Sequence, residues 1–173
     1  MSLLVLTTGG TIDKVYFDAS SEYEVGEPTV PHVFREAGVG LEWRLESVFR
    51  KDSLEITDED RAVIRKACEE ALETRILITH GTDTMCETAA FLTGLPRKTI
   101  VLTGALAPAR FRVTDAIFNL GLALGAVQSK PPGVYLAMNG TVFSAGGVWK
   151  NRAAGRFEPL PLPETSPDRK PSP

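Results

Sequence analysis

Ile76-Leu77-Ile78-Thr79-His80-Gly81-Thr82-Asp83-Thr84 is the stretch on which the fold turns. A short apolar run that breaks at a histidine and a glycine reads as a buried strand ending in a turn. From Thr82 to Leu92 the pattern becomes helical and is closed by Gly94 and Pro96, and Ile100 to Thr103 is a second short apolar strand. Strand, helix and strand in that order are the repeating unit of a parallel sheet.

The alternation continues outward on both sides. Towards the start, Leu3 to Thr8 is an apolar run that stops at Gly9-Gly10, and Pro31 to Ala37 is a short helix closed by Gly38. Leu41, Trp43 and Leu45 alternate with charged residues, as in a half-exposed strand. Thr57 caps a helix whose Asp58, Glu59 and Asp60 suit its positive end, and Val63, Ile64, Ala67, Cys68, Ala71 and Leu72 form its apolar stripe. Towards the end, Asp115 to Val127 is a helix and Val134 to Met138 a strand. The expectation is an α/β fold, a single domain over residues 1–158 with a mainly parallel sheet flanked by helices. Residues 159–173 hold six of the twelve prolines and are expected to form an extended or disordered tail. Asp13 to Pro28 is polar and aperiodic, so it is expected to be a mobile lid loop.

Composition narrows the function classes. The 173 residues are 43% hydrophobic and 24% charged, with a formal net charge of -3, which gives neither a basic footprint for nucleic acid nor a basic face for an anionic membrane. No apolar run approaches the roughly 20 residues that span a bilayer, and the first residues lead straight into a strand without a basic signal-peptide region. Cys68 and Cys86 stand in helical stretches and form no disulfide pattern, while His32 and His80 have no metal-ligand spacing. A reduced, cytoplasmic protein is the expectation.

Ligands of open α/β sheets bind beyond the carboxyl ends of the strands. Three such ends are rich in hydroxyls and glycines: Thr8-Gly9-Gly10-Thr11, Thr79 to Thr84, and Thr103-Gly104-Ala105. Each alone is equally an ordinary strand end, because threonine suits strands and glycine suits turns. Together, on one edge of the sheet, they point to a site. A phosphate-binding loop is one reading, but neither G-x-G-x-x-G nor G-x-x-x-x-G-K-[ST] occurs in the chain. Nucleophilic catalysis by threonine is the other. A threonine hydroxyl needs a base to take its proton, and the tetrahedral oxyanion needs fixed donors such as turn N–H groups. Tyr16 and Tyr23 follow Thr11, and Lys150 stands beyond the last expected strand; His80 is an alternative base that reads better as a packed histidine.

The segments T-G-G-T-I, H-G-T-D-T, and T-G-A followed by D-A-I-F-N-L resemble the bacterial asparaginase and glutaminase family. The resemblance runs from Leu3 to about Lys150 and covers that family's amino-terminal domain. It implies that Thr11 is the nucleophile, Thr82 the second catalytic threonine, Asp83 the carboxylate that meets the substrate α-ammonium, and Lys150 the lysine that polarises Thr82. It further implies that Ser53 holds the α-carboxylate, that Gly10 and Ala105 line the substrate, and that Tyr23 or Tyr16 is the catalytic tyrosine, with Tyr23 slightly preferred. Bottom-up alternatives stay open for several: Asp83 as a helix-dipole residue, Ser53 as a turn residue, Lys150 as an exposed cation.

The resemblance implies hydrolysis of L-asparagine to L-aspartate and ammonia through an acyl-threonine, with weaker action on glutamine and no metal or organic cofactor. The rival readings are a non-catalytic asparagine- or aspartate-binding module or partner subunit, and a nucleotide-binding α/β domain. The family normally carries a second domain, so this chain is expected to be its short form and a homo-oligomer, most simply a dimer. Asn151 to Glu158 is the segment expected to close the pocket, with Glu158 replacing a carboxylate of the missing domain.

Overall fold

The computed structural model describes residues 2–17 and 22–161. Strands β1 (Ser2–Gly9), β4 (Glu42–Lys51), β5 (Arg75–Thr79), β6 (Thr99–Thr103), β7 (Gly133–Met138) and β8 (Thr141–Ser144) form one sheet in the order β4-β1-β5-β6-β7-β8. All neighbours pair in parallel except β7 with β8. The helices are α1 (Val30–Glu36), α2 (Asp58–Glu70), α3 (Met85–Phe91) and α4 (Ala116–Ser129). Two further antiparallel pairs stand apart from the sheet: β2 (Lys14–Phe17) with β3 (Glu22–Val25), and β9 (Val148–Asn151) with β10 (Arg156–Pro159).

The period-2 alternation of strand side chains divides the core into two layers. Leu4, Leu6, Ile76, Ile78, Ile100 and Leu102 point to the face covered by α2 and α3. Leu3, Val5, Leu77 and Val101 point to the face covered by α1 and α4. Burying a side chain of this size contributes about 1.5–3 kcal/mol, so the central strands set the stability and position of everything at their ends.

That arrangement locates the crevice. From β1 the chain turns towards α1 on one face, and from β5 it turns towards α3 on the other. Loops that leave neighbouring strands in opposite directions open a cleft between them. It lies between Gly9-Gly10-Thr11 and His80-Gly81-Thr82.

Several expectations need correction. Asp13 to Pro28 is not structureless, because β2 and β3 pair within it from Lys14↔Val25 to Phe17↔Glu22; residues 18–21 lie outside the described residues. The α2 stripe is narrower than read, since Ile64 and Cys68 are buried while Val63 is 51% and Leu72 96% exposed. The helix ends at Glu70, with Ala71 already extended. The helix after β5 begins at Met85, which frees Thr82 and Asp83 from helical geometry. Pro159 belongs to β10, opposite Val148, and the tail from residue 162 onward lies outside the described residues.

Candidate active site

Backbone contact brings the crevice walls together. A Cβ built on Gly10 would stand 2.5 Å from the Cα and N of Gly81, and one built on Gly81 would stand 2.5 Å from the Cβ of Ser53. Only glycine allows the ends of β1 and β5 and the segment after β4 to meet this closely. Gly10 also has a φ of +89°, which other residues rarely adopt. On the other side of the second turn, a Cβ on Gly104 would collide with the carbonyl oxygen of His80. The four strand ends therefore form one dry layer with backbone N–H groups near its rim.

Thr11 opens a single 3-10 turn, Thr11–Asp13, directly after that contact. Buried Ile12 pins the turn, and its carbonyl accepts from the Ala109 amide at 3.1 Å. On the facing turn the Lys150 Nζ donates to Thr82 Oγ1 and to Asp83 Oδ1, both at 2.8 Å. Lys150 projects from β9 and is 14% exposed at the side chain, with Asp83 at 33%. Salt-bridged to Asp83, the lysine donates to Thr82 Oγ1, a bond that favours negative charge on that oxygen. The Asp83 amide donates to Ser53 Oγ at 3.3 Å, and Thr84 Oγ1 donates to the Ser53 carbonyl at 2.7 Å.

The structure thus joins Ser53, Thr82, Asp83 and Lys150 by direct bonds and sets Gly10 against Gly81. Ala105 is buried in the loop after β6. That loop is held by the two polar residues of D-A-I-F-N-L. Asp115 accepts from the amides of Leu106 and Ala107, and Asn119 Nδ2 donates to the Gly104 carbonyl at 3.0 Å. Tyr16 and Tyr23 are register partners across the β2–β3 hairpin, and their side chains lie outside what the structure describes.

The segment Asn151 to Glu158 is not an extended arm. It folds back as the β9–β10 hairpin, and its aromatic residue Phe157 is buried in this chain's own core beside Val148. Glu158 accepts from Arg156 Nε at 2.7 Å and Asn151 Nδ2 at 3.2 Å, so its carboxylate is occupied inside the hairpin.

His80 is fully buried, and burial pushes its imidazole down to about 4. The Gly81 carbonyl can only accept, so Nδ1 at 2.7 Å carries the proton; Nε2 then accepts from Thr88 Oγ1 at 2.9 Å. A neutral imidazole committed at both nitrogens is a brace for the turn and not a base.

Residues 2–159 match the family model described as Asparaginase, N-terminal. The chain belongs to the asparaginase family. It is 33% identical over 180 residues to the L-asparaginase of Thermococcus kodakarensis, a match covering 95% of this chain and 52% of that protein. A glutaminase-asparaginase of Acinetobacter glutaminasificans is 30% identical over 167 residues, covering 86% and 49%. The solved structure of the thermostable T. kodakarensis enzyme superposes with a TM-score of 0.82 at 30% identity, over 94% of this chain and 52% of that one. This asparaginase-family chain spans about half the length of the relatives it matches.

Sequence reading missed three features of this asparaginase-family site. Arg152 brings a second cation to Asp83, with Nε at 3.9 Å; its place on the hairpin turn after β9 had no local signal. A cleft of about 230 Å³ beside the pair is lined by Asp83, Cys86, Trp149, Lys150 and Arg152. Burial pushes the Cys86 thiol up to about 11, so it offers no thiolate there. Larger hollows of about 580 and 610 Å³ lie elsewhere, against α1 and against the end of α2, and neither contains the threonine–lysine–aspartate set. The third feature is buried Asp13, two residues after Thr11.

Proposed function

We propose that this chain hydrolyses the side-chain amide of L-asparagine, with glutamine as a poorer substrate. The Lys150 bonds to Thr82 and Asp83, in a member of the asparaginase family, are the observation that carries the reading. The Thr11 hydroxyl attacks the amide carbon, and its proton passes to the base, Tyr23 or Tyr16. The tetrahedral oxyanion is met by turn N–H groups. Collapse with protonation of the nitrogen releases ammonia and leaves an acyl-threonine. Water held at Thr82, its proton taken by the same base, attacks that ester; the base then passes the proton to the leaving Thr11 oxygen and aspartate is freed, with Lys150 donating to Thr82 throughout. Asp83 binds the α-ammonium and Ser53 the α-carboxylate. One methylene of pocket depth separates the two amides by only about 1–3 kcal/mol, which is why some action on glutamine belongs to the reading. No cofactor enters these steps.

Free Cys68 and Cys86 fit a reducing, cytoplasmic setting. Among the described residues no helix is long and apolar enough to cross a membrane. Leu106, Phe111, Val113, Ile117 and Phe118 are exposed along one loop and the start of α4, a surface that a symmetric pair of chains would cover. Light scattering of a monomer at working concentration would remove that part of the reading.

Ammonia release by the pure protein from L-asparagine, L-glutamine and their D-forms tests the activity. Thr11→Ala should lower it about 10⁴-fold or more with an unchanged melting curve, and separate Tyr16→Phe and Tyr23→Phe variants should identify one base. The second reading is a binding module without turnover. Calorimetric binding of aspartate with no ammonia released would select it.

A further inference from the structure

Asp13 is 2% exposed, yet among the described residues no side-chain cation lies in salt-bridge contact with it. Its Oδ1 accepts from the Thr29 amide at 2.8 Å, and its backbone carbonyl accepts from the Gly26 amide, also at 2.8 Å. Its own amide donates to the Gly10 carbonyl at 3.1 Å. Thr29 reaches back as well, with Oγ1 at 3.5 Å from the Ile12 carbonyl. One residue therefore ties the Thr11 turn, both roots of the β2–β3 hairpin and the start of α1. Of the hairpin's described side chains, the apolar Val15 and Val25 at its root are half-buried.

We propose that Asp13 is a positioning residue, whose carboxylate on the Thr29 amide and carbonyl on the Gly26 amide clamp the β2–β3 hairpin over the Thr11 turn. The inference rests on the asparagine-hydrolase reading only for its effect on turnover; the clamp itself is a property of the hairpin. Ionised, Asp13 gains the stronger form of its bond from the Thr29 amide, because a carboxylate accepts about twice as strongly as a neutral acceptor. Burial opposes that state and pushes the carboxyl up to about 6, with the Thr29 bonds and the charges of Arg110 and Arg50 pulling the other way. Arg50 on β4 is engaged by Glu27 at 2.7 Å, and Arg110 lies in the loop after β6. Lys14 is turned to Asp52 at 2.6 Å, and on α1 His32 faces Glu36 at 3.4 Å. Asp13 is thus the acid within the clamp; its carboxyl holds a proton more tightly buried than released, so neutralisation below pH 6 favours the closed root and ionisation above it works against the clamp.

Hydrogen exchange of the amides at residues 14–15 and 24–25, corrected for intrinsic rates, reads the clamp without any turnover. Asp13→Ala should lose about 10- to 100-fold of protection there, the worth of a hydrogen bond to a charged group, and a similar factor in kcat/KM for asparagine. Asp13→Asn keeps an acceptor oxygen but cannot titrate, so its protection should not change between pH 5 and 7.5, whereas the natural protein should gain protection on acidification. Should Asp13→Ala fail to fold, the Asn variant and the pH pair still decide. Unchanged protection in Asp13→Ala, or parallel pH curves for Asp13→Asn and the natural protein, would overturn the clamp. Protein that releases no ammonia but shows the predicted exchange pattern would overturn the hydrolase reading and leave the clamp standing.

Discussion

Two antiparallel hairpins flank the crevice, and they are fastened by different means. The β9–β10 hairpin drives Val148 and Phe157 into the core and thereby fixes Lys150 against Thr82. The β2–β3 hairpin is fastened at its root by polar bonds to Asp13. Apolar burial is insensitive to pH and non-directional, whereas a hydrogen-bonded root responds to protonation and can open without disturbing the core.

The sharpest way to break the comparison is at Lys150. Lys150→Met should lower kcat about 10²–10⁴-fold, measured as ammonia release, because Lys150 is the donor to Thr82 Oγ1 among the described residues. A loss below threefold would mean that the rigid hairpin holds no catalytic charge. Next comes the anchor. Phe157→Ala removes a buried ring and should cost about 3–5 kcal/mol, read by urea unfolding, and the damage should extend to Lys150. An equal truncation at half-buried Val15 should cost far less.

The third effect separates the two hairpins by pH. Asp13 has a folded pKa near 6 against an ordinary 3.8, so its burial leaves the fold more stable while it is neutral, and that advantage is lost as pH rises from about 4 to 6. His80 works the other way. Its folded pKa near 4 against 6.5 means stability is lost as pH falls from about 6.5 to 4. The two slopes oppose each other in the natural protein. Asp13→Asn should therefore be more stable than the natural protein by up to about 3 kcal/mol above pH 6, indistinguishable below pH 4, and should expose the His80 slope between. Equal melting temperatures at pH 7.5 would contradict this.

The smallest effect concerns the floor of the crevice. The hydroxyls of Thr7 and Thr79, partners in neighbouring strands, are buried without a hydrogen-bond partner among the described residues. Thr79→Val should thus change stability by no more than about 1 kcal/mol, and in the favourable direction. A clear destabilisation would show that the hydroxyl is used.

The sheet was legible because its central strands are uninterrupted apolar runs ending in glycine, and the T-G-G-T-I and H-G-T-D-T turns follow at once. The strands after Met138 were not. β8 to β10 are four residues each, carry few apolar residues and owe their pairing to contacts with β7, to Asn139, whose side chain accepts from the Phe157 amide at 3.0 Å, and to the core. In Asn151 to Glu158 the sequence does not tell that Phe157 returns to this chain's own core, since charge and one aromatic describe a hairpin as well as an outward segment. In the site, Ser53, Thr82, Asp83 and Lys150 could be found from motifs. Asp13 and Arg152 could not, because what marks Asp13 is burial and what marks Arg152 is proximity to Asp83, and neither is written in the neighbouring residues. The lid reading of Asp13 to Pro28 failed on secondary structure because alternating polar strands such as Glu22–Val25 lack the apolar period that announces a sheet.

The contact between Gly10 and Gly81 also governs when the site comes into being. The two residues meet only after β1 has paired with β5 across a long intervening segment that includes β4 and α2. Contacts of such separation form late, because loop closure must be completed before they contribute. During synthesis the Thr11 turn emerges early and waits, without its opposing wall, until β5 follows and then until β9 delivers Lys150. The Gly10–Gly81 contact and the Lys150–Thr82 bond therefore come together only once β1, β5 and β9 have all been placed.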